Sequence, residues 1–105
     1  MLIKSIKIPM VKHIVFWRIQ DGPHGDNAKQ AKSLLEGLVG KIPGLLKLEV
    51  GIDYSRSETS ADIALYSEFS DKAALEGYAI HPEHLKVVPF IKSVSLERRV
   101  VDYQI

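Results

Sequence analysis

The chain has no cysteine. That excludes a disulfide frame, a thiol nucleophile and any thiolate metal site. Neither sign of charge dominates. There are 14 Lys and Arg against 13 Asp and Glu, a formal net charge of +1, and the basic residues are spread rather than clustered. Nucleic acid and membrane are therefore not expected as partners. No apolar run approaches the roughly 18 residues of a membrane span. Residues 1–9 are broken by Lys4 and Lys7 and lack the apolar centre of a signal peptide. A cytoplasmic setting is the resulting expectation. Low-complexity tracts are also missing.

What remains is an ordinary globular composition, 46% hydrophobic and 26% charged over 105 residues. This predicts a single domain with a modest core, near the size at which a partner adds to stability. Pro9 separates residues 1–9, read as an N-terminal extension, from a domain over residues 10–105.

Val11 to Ile19 carries the strongest strand signal, being rich in β-branched and aromatic residues. Val11, His13, Val15, Trp17 and Ile19 share one face, and Lys12, Ile14, Phe16 and Arg18 the other. Apolar residues on both faces predict that both are covered, one of them by a second subunit. Asp21 to Asn27 is a loop, and Asp26 or Asn27 is placed to cap a helix. That helix carries the stripe Ala28, Ala31, Leu34, Leu35, Leu38 and Val39, with Gly40 as its stop and Pro43-Gly44 as a turn. A second strand alternates Leu46, Leu48, Val50, Ile52 and Tyr54 with polar residues. A third covers Ala61 to Phe69 and pairs with it as a hairpin. Ser70 or Asp71 caps a helix bearing Ala74, Leu75, Tyr78 and Ala79. Val94 to Tyr103 reads as the last strand. The order is an α+β, ferredoxin-like βαββαβ arrangement with a four-stranded antiparallel sheet. Its bare sheet face predicts a C₂ dimer closing into an α/β barrel.

The stretch Tyr78-Ala79-Ile80-His81-Pro82-Glu83-His84 concentrates the chemistry. The residue before a proline avoids helical angles, so His81 breaks the helix and Pro82 starts a new one. Glu83 suits the positive end of that new helix, and Pro89 is expected to limit or kink it. Tyr78 and His84 are a candidate acid/base pair: a phenol donates a proton and a neutral imidazole accepts one. Core packing is the plainer reading of both. His81 and His84 supply two imidazoles where a closed metal site wants three or four ligands, and Glu83 points away on a helix. No metal and no cofactor are expected. His13, alone on an apolar strand face, reads equally as a satisfied core residue or as a pocket residue. His24 sits in a Gly-rich loop and is expected to be solvated. Arg98 and Arg99 fall on opposite strand faces and make no common basic patch.

Val11-Lys12-His13-Ile14-Val15, Ile42-Pro43-Gly44, Tyr78-x-x-His81-Pro82-x-His84 and Val100-Val101-Asp102-Tyr103 together resemble the Dabb family, the stress-responsive dimeric α/β barrel domain. The resemblance runs from Met10 to about Tyr103. It implies a homodimer with a pocket between helices and sheet in each subunit. A plant branch of the family, a polyketide cyclase, uses a Tyr and a His at positions matching Tyr78 and His84. Positions matching His13, Val15, Trp17 and Leu65 line that branch's pocket. This chain departs from the branch in its bulky Trp17, and in Ala31 and Leu35 where the branch has aromatics. Much of the family has no assigned activity. The resemblance therefore implies a small apolar or aromatic ligand ahead of any named reaction. The other classes it leaves open are a cofactor-free cyclase-like or monooxygenase-like enzyme, a haem-degrading one included, and a structural, stress-protective assembly module.

Overall fold

The computed structural model describes residues 10–105. The extension expected at residues 1–9 lies outside the described residues. The elements are β1 (Val11–Ile19), α1 (Asp26–Glu36), β2 (Leu45–Ile52), β3 (Ile63–Phe69), α2 (Lys72–Ile80), α3 (Pro82–Val94) and β4 (Ser95–Gln104). The strands form one four-stranded sheet in the order β2-β3-β1-β4, and every neighbouring pair is antiparallel. This is the expected ferredoxin-like arrangement, with the second helix divided in two.

Alternation along β1 organises the core. Val11, His13, Val15, Trp17 and Ile19 are all buried. Leu48 and Val50 of β2 join them, as do Ile63, Leu65 and Phe69 of β3 and Ala28, Ala31 and Leu35 of α1. Ser67, a buried polar residue of β3, donates its hydroxyl hydrogen to the His13 carbonyl at 2.8 Å, so its polarity is satisfied inside the sheet. Among the described residues nothing covers the opposite face. On it Phe16, Val101 and Tyr103 are 44%, 49% and 42% exposed. The register sets Ile14 against Val101 and Lys12 against Tyr103, so these groups form one surface.

Five local expectations change. Leu46 lies outside the core because the β2–β3 register shifts between Leu45 and Lys47. A bulge there turns Leu45 towards the core, leaves Leu46 exposed and reverses the alternation before Leu48. Tyr54 is beyond the end of the strand and 90% exposed. Helix α1 is not capped by Asp26 or Asn27. Its N-cap is Gly25, and Asp21 accepts from the Asn27 N–H at 3.3 Å. The helix also stops at Glu36, so Val39 is exposed although Leu38 stays in the core. Pro89 does not end α3, which continues to Val94.

Two contacts seat the helices. Glu36 accepts from the Val50 N–H at 2.9 Å and from Lys32 at 2.7 Å, while Lys32 donates to the Val50 carbonyl at 2.6 Å. The outer backbone groups of an edge strand are thereby covered by α1. The Lys32 ammonium, then the Val50 N–H, hold the Glu36 carboxyl below the usual carboxylate range. At the other end Gly44, with φ of +80°, brings its backbone against α2. Its carbonyl accepts from the Ser70 N–H at 2.9 Å, and a Cβ built on it would meet the Ala74 Cβ at 2.5 Å.

Gly44→Ala combines left-handed strain with that clash and should cost about 2–4 kcal/mol. Gly22 has φ of +70° with nothing within 4 Å of an added Cβ. Gly22→Ala should therefore show only the strain, roughly 1–2 kcal/mol. Urea unfolding of both variants measures the difference. Equal losses would mean that the close approach of Gly44 to α2 contributes nothing.

Candidate functional site

Tyr78 and His84 are six residues apart. In one continuous helix they would lie about 120° apart around the axis. The His81-Pro82 junction changes this. His81 has φ of −65° and ψ of 135°, the extended conformation forced on a residue before proline. Its N–H donates to the Tyr78 carbonyl at 3.2 Å and closes α2. Its Nδ1 accepts from the Glu83 N–H at 3.1 Å and opens α3. His81 is thus the cap of both helices, with its Nδ1 lone pair already engaged. The break carries Tyr78, in the last turn of α2, over His84, in the first turn of α3. Their ring centroids are 4.2 Å apart and the planes 35° from parallel.

The sheet completes the box. The Phe69 and Tyr78 centroids are 5.1 Å apart, and His13 meets Tyr78 edge-on at 6.0 Å. The β1–β4 register sets His13 opposite Asp102, and the His13 Nδ1 hydrogen-bonds the Asp102 carboxylate. A carboxylate can only accept here, so Nδ1 is the protonated nitrogen and the ring is fixed in orientation. A pocket of 580 Å³ opens against this group, with Val11, His13, Tyr78, His84, Arg98 and Asp102 on its wall. That volume is in the range of small-molecule sites.

Burial sets the protonation states. It pushes the Tyr78 phenol up to about 12, with the nearby Arg98 guanidinium acting weakly the other way. Tyr78 therefore stays a proton donor at neutral pH. Burial also lowers the His84 imidazole, the Ala79 carbonyl opposes this, and the His13 and Arg98 charges add to the lowering. His84 is accordingly neutral near pH 7. Its Nδ1–H donates to the Ala79 carbonyl at 3.3 Å, which leaves Nε2 as the basic atom. Among the described residues the Tyr78 hydroxyl makes no hydrogen bond of its own, although the residue is only 3% exposed.

Of the residues singled out in the sequence, His13, Tyr78 and His84 come together on this pocket. Val15 and Leu65 are each 1% exposed and belong to the core beneath it. Trp17 lines an adjoining cavity that it shares with Leu35 and His84. Its Nε1–H is buried and has no partner among the described residues. Asp102 and Arg98 were not singled out as site residues. Alternation along β4, once paired with β1, is the signal that puts both on the helix-facing side. Among the described residues no group of three metal-ligating side chains occurs, and no helix is long and apolar enough to cross a membrane.

Comparison with known proteins gives a consistent picture. A dimeric protein of unknown function with a ferredoxin-like fold from Bacteroides fragilis is 34% identical, with 91% of this chain and 96% of that one covered and a TM-score of 0.78. A dimeric ferredoxin-like protein of unknown function from Thermobifida fusca is 22% identical over 96% and 95% of the two chains, with a TM-score of 0.82. The hydroxynitrile lyase of Passiflora edulis is 19% identical over 94% and 95%, with a TM-score of 0.80. Comparison with curated proteins gives no match. The model of the stress responsive A/B barrel domain, Dabb, matches residues 11–105, so the chain belongs to the Dabb family.

Proposed function

We propose that the protein is a homodimer that binds a small, largely apolar carbonyl compound in the Tyr78–His84 pocket. On that compound it moves a proton without a cofactor. His84 Nε2 is the base, and the Tyr78 hydroxyl is the donor that meets the developing oxyanion. Asp102 holds His13 in place at the edge of the same space. The observation that carries this reading is the stacked phenol and imidazole, kept in complementary protonation states and open to a pocket. A purely structural module would fill the space beside Tyr78; instead a 580 Å³ pocket lies against it, and Trp17 lines a separate cavity. The Passiflora protein, whose name is that of an enzyme, has the same fold, and at 19% identity the likeness supports the scaffold alone.

Dimerisation is assigned to the open sheet face. Among the described residues Ile14, Phe16, Val101 and Tyr103 form an apolar surface that the helices do not reach. The Bacteroides and Thermobifida relatives are dimeric. Size-exclusion chromatography with light scattering should give twice the chain mass. Val101→Glu should shift the protein to monomer or raise the dimer dissociation constant by roughly a hundredfold, as burial of an unpaired charge requires. A wild-type monomer, or a variant that dimerises as well as wild type, would contradict this face.

A small aryl β-diketone in D₂O tests the chemistry. Wild type should accelerate exchange of its α-protons over buffer by about two orders of magnitude, a typical general-base contribution. His84→Gln should abolish the acceleration and Tyr78→Phe should reduce it. Exchange no faster than in buffer, or unchanged in His84→Gln, would remove His84 as base.

The same neutral His84 has a consequence for stability. Its folded value lies below the unfolded one, so the unfolded chain takes up the proton first as pH falls. The stability that His84 confers is complete above about pH 6.5 and declines as pH falls towards its folded value. Between pH 7.5 and pH 5, wild type should lose more stability than His84→Gln in urea unfolding. Equal losses would show that His84 is not desolvated.

A further inference from the structure

Beside the pocket described above lies a second cavity of 420 Å³, between α1, α3 and the end of β1. Leu35, Val87, Val88 and Ile91 make its walls apolar. Its fully charged groups are two cations, Lys92 and Arg98, both exposed at its rim, and no carboxylate lines it. Neither cation has an ion-pair partner among the described residues. Glu76 lines the adjoining Tyr78–His84 pocket, and the other neighbouring carboxylates are placed elsewhere. Asp102 is held by His13, Glu97 pairs in register with Arg18, and Glu83 faces Lys86 at 3.4 Å. An apolar chamber rimmed by two unpaired cations is matched in shape and charge by an amphipathic anion.

We propose that this cavity is a binding site for an amphipathic monocarboxylate. The apolar tail lies against Leu35, Val87, Val88 and Ile91, and the carboxylate is held at the rim by Arg98, with Lys92 as a second, weaker cation. A guanidinium matches a carboxylate in a bidentate fork, which an ammonium does not. Arg98, His84 and Ala79 border both cavities. The carboxylate therefore sits at the boundary between the chamber and the Tyr78–His84 pocket. A carbonyl carbon near that end of the ligand would face His84 and Tyr78. This deepens the proposed function by naming the class of ligand, and it rests on that reading only in placing a ligand between the helices and the sheet.

The test uses octanoate and its neutral counterpart 1-octanol. Trp17, the single tryptophan, lines the cavity, so its fluorescence and its Nε1–H resonance report on occupancy. Octanoate should bind the full chain about tenfold more tightly than octanol, the scale of one charge-assisted pair. Arg98→Gln should weaken octanoate by about tenfold and leave octanol unchanged, which also shows that the variant is folded. Lys92→Gln should give a smaller loss. Equal affinities in wild type, or an octanoate preference that survives Arg98→Gln, would overturn the proposal. Octanoate binding that leaves the Trp17 signals unmoved would overturn it too. Octanoate recognition in a protein that fails the proton-exchange assay would keep this proposal and remove the acid–base chemistry. The converse result would do the reverse.

Discussion

Strand β1 is hydrogen-bonded on both sides, to β3 and to β4, and every second side chain of it is buried under the helices. Because the period of a strand is two, a slip of one residue would turn all five buried side chains to the other face. That constraint fixes the core and the site together. Val11, Val15, Trp17 and Ile19 make the register costly to change. His13 is carried along as the one imidazole in the set, and the same register brings Asp102 of β4 to its Nδ1. The polar group needs a partner where it is, and the edge strand supplies one at the matching position.

The helical half of the site depends on a different device. Pro82 forces His81 out of helical geometry, and His81 then satisfies backbone groups on both sides of the break. The break costs regular hydrogen bonds, yet it is what lets Tyr78 and His84 share one wall. Both rings then lose water, and desolvation sets their chemistry: the phenol is kept protonated and the imidazole neutral. Burial is the largest cause for both groups, and the His13 and Arg98 charges add to it at His84. Arg98 stands where the two cavities meet and has no ion-pair partner among the described residues.

Much of this was legible in the sequence. The β1 pattern is unambiguous because its apolar and β-branched residues alternate over nine positions. The His81-Pro82 break follows from proline chemistry alone, and Asp71 caps α2 as the residue type predicts. The parts that were not legible depend on pairing. Leu46 looks like a core residue until the bulge at Leu45 is known, since one extra residue inverts the alternation. Val15 and Leu65 share a face with His13, but a face is not a pocket wall. How far the helices stand off the sheet decides which residues meet open space, and these two lie under side chains rather than under the gap. Asp102 and Arg98 are ordinary charged residues of an edge strand until β4 is paired with β1. No local pattern announces them.

The central claim is that His84 offers a neutral, unprotonated Nε2 beside a protonated Tyr78. Long-range ¹H–¹⁵N correlation of the histidine rings at pH 7.5 measures this directly. The structure predicts that His84 is a single neutral tautomer with hydrogen on Nδ1, its Nε2 shift that of an unprotonated nitrogen. An Nε2–H tautomer, or an imidazolium pattern at that pH, would contradict the account.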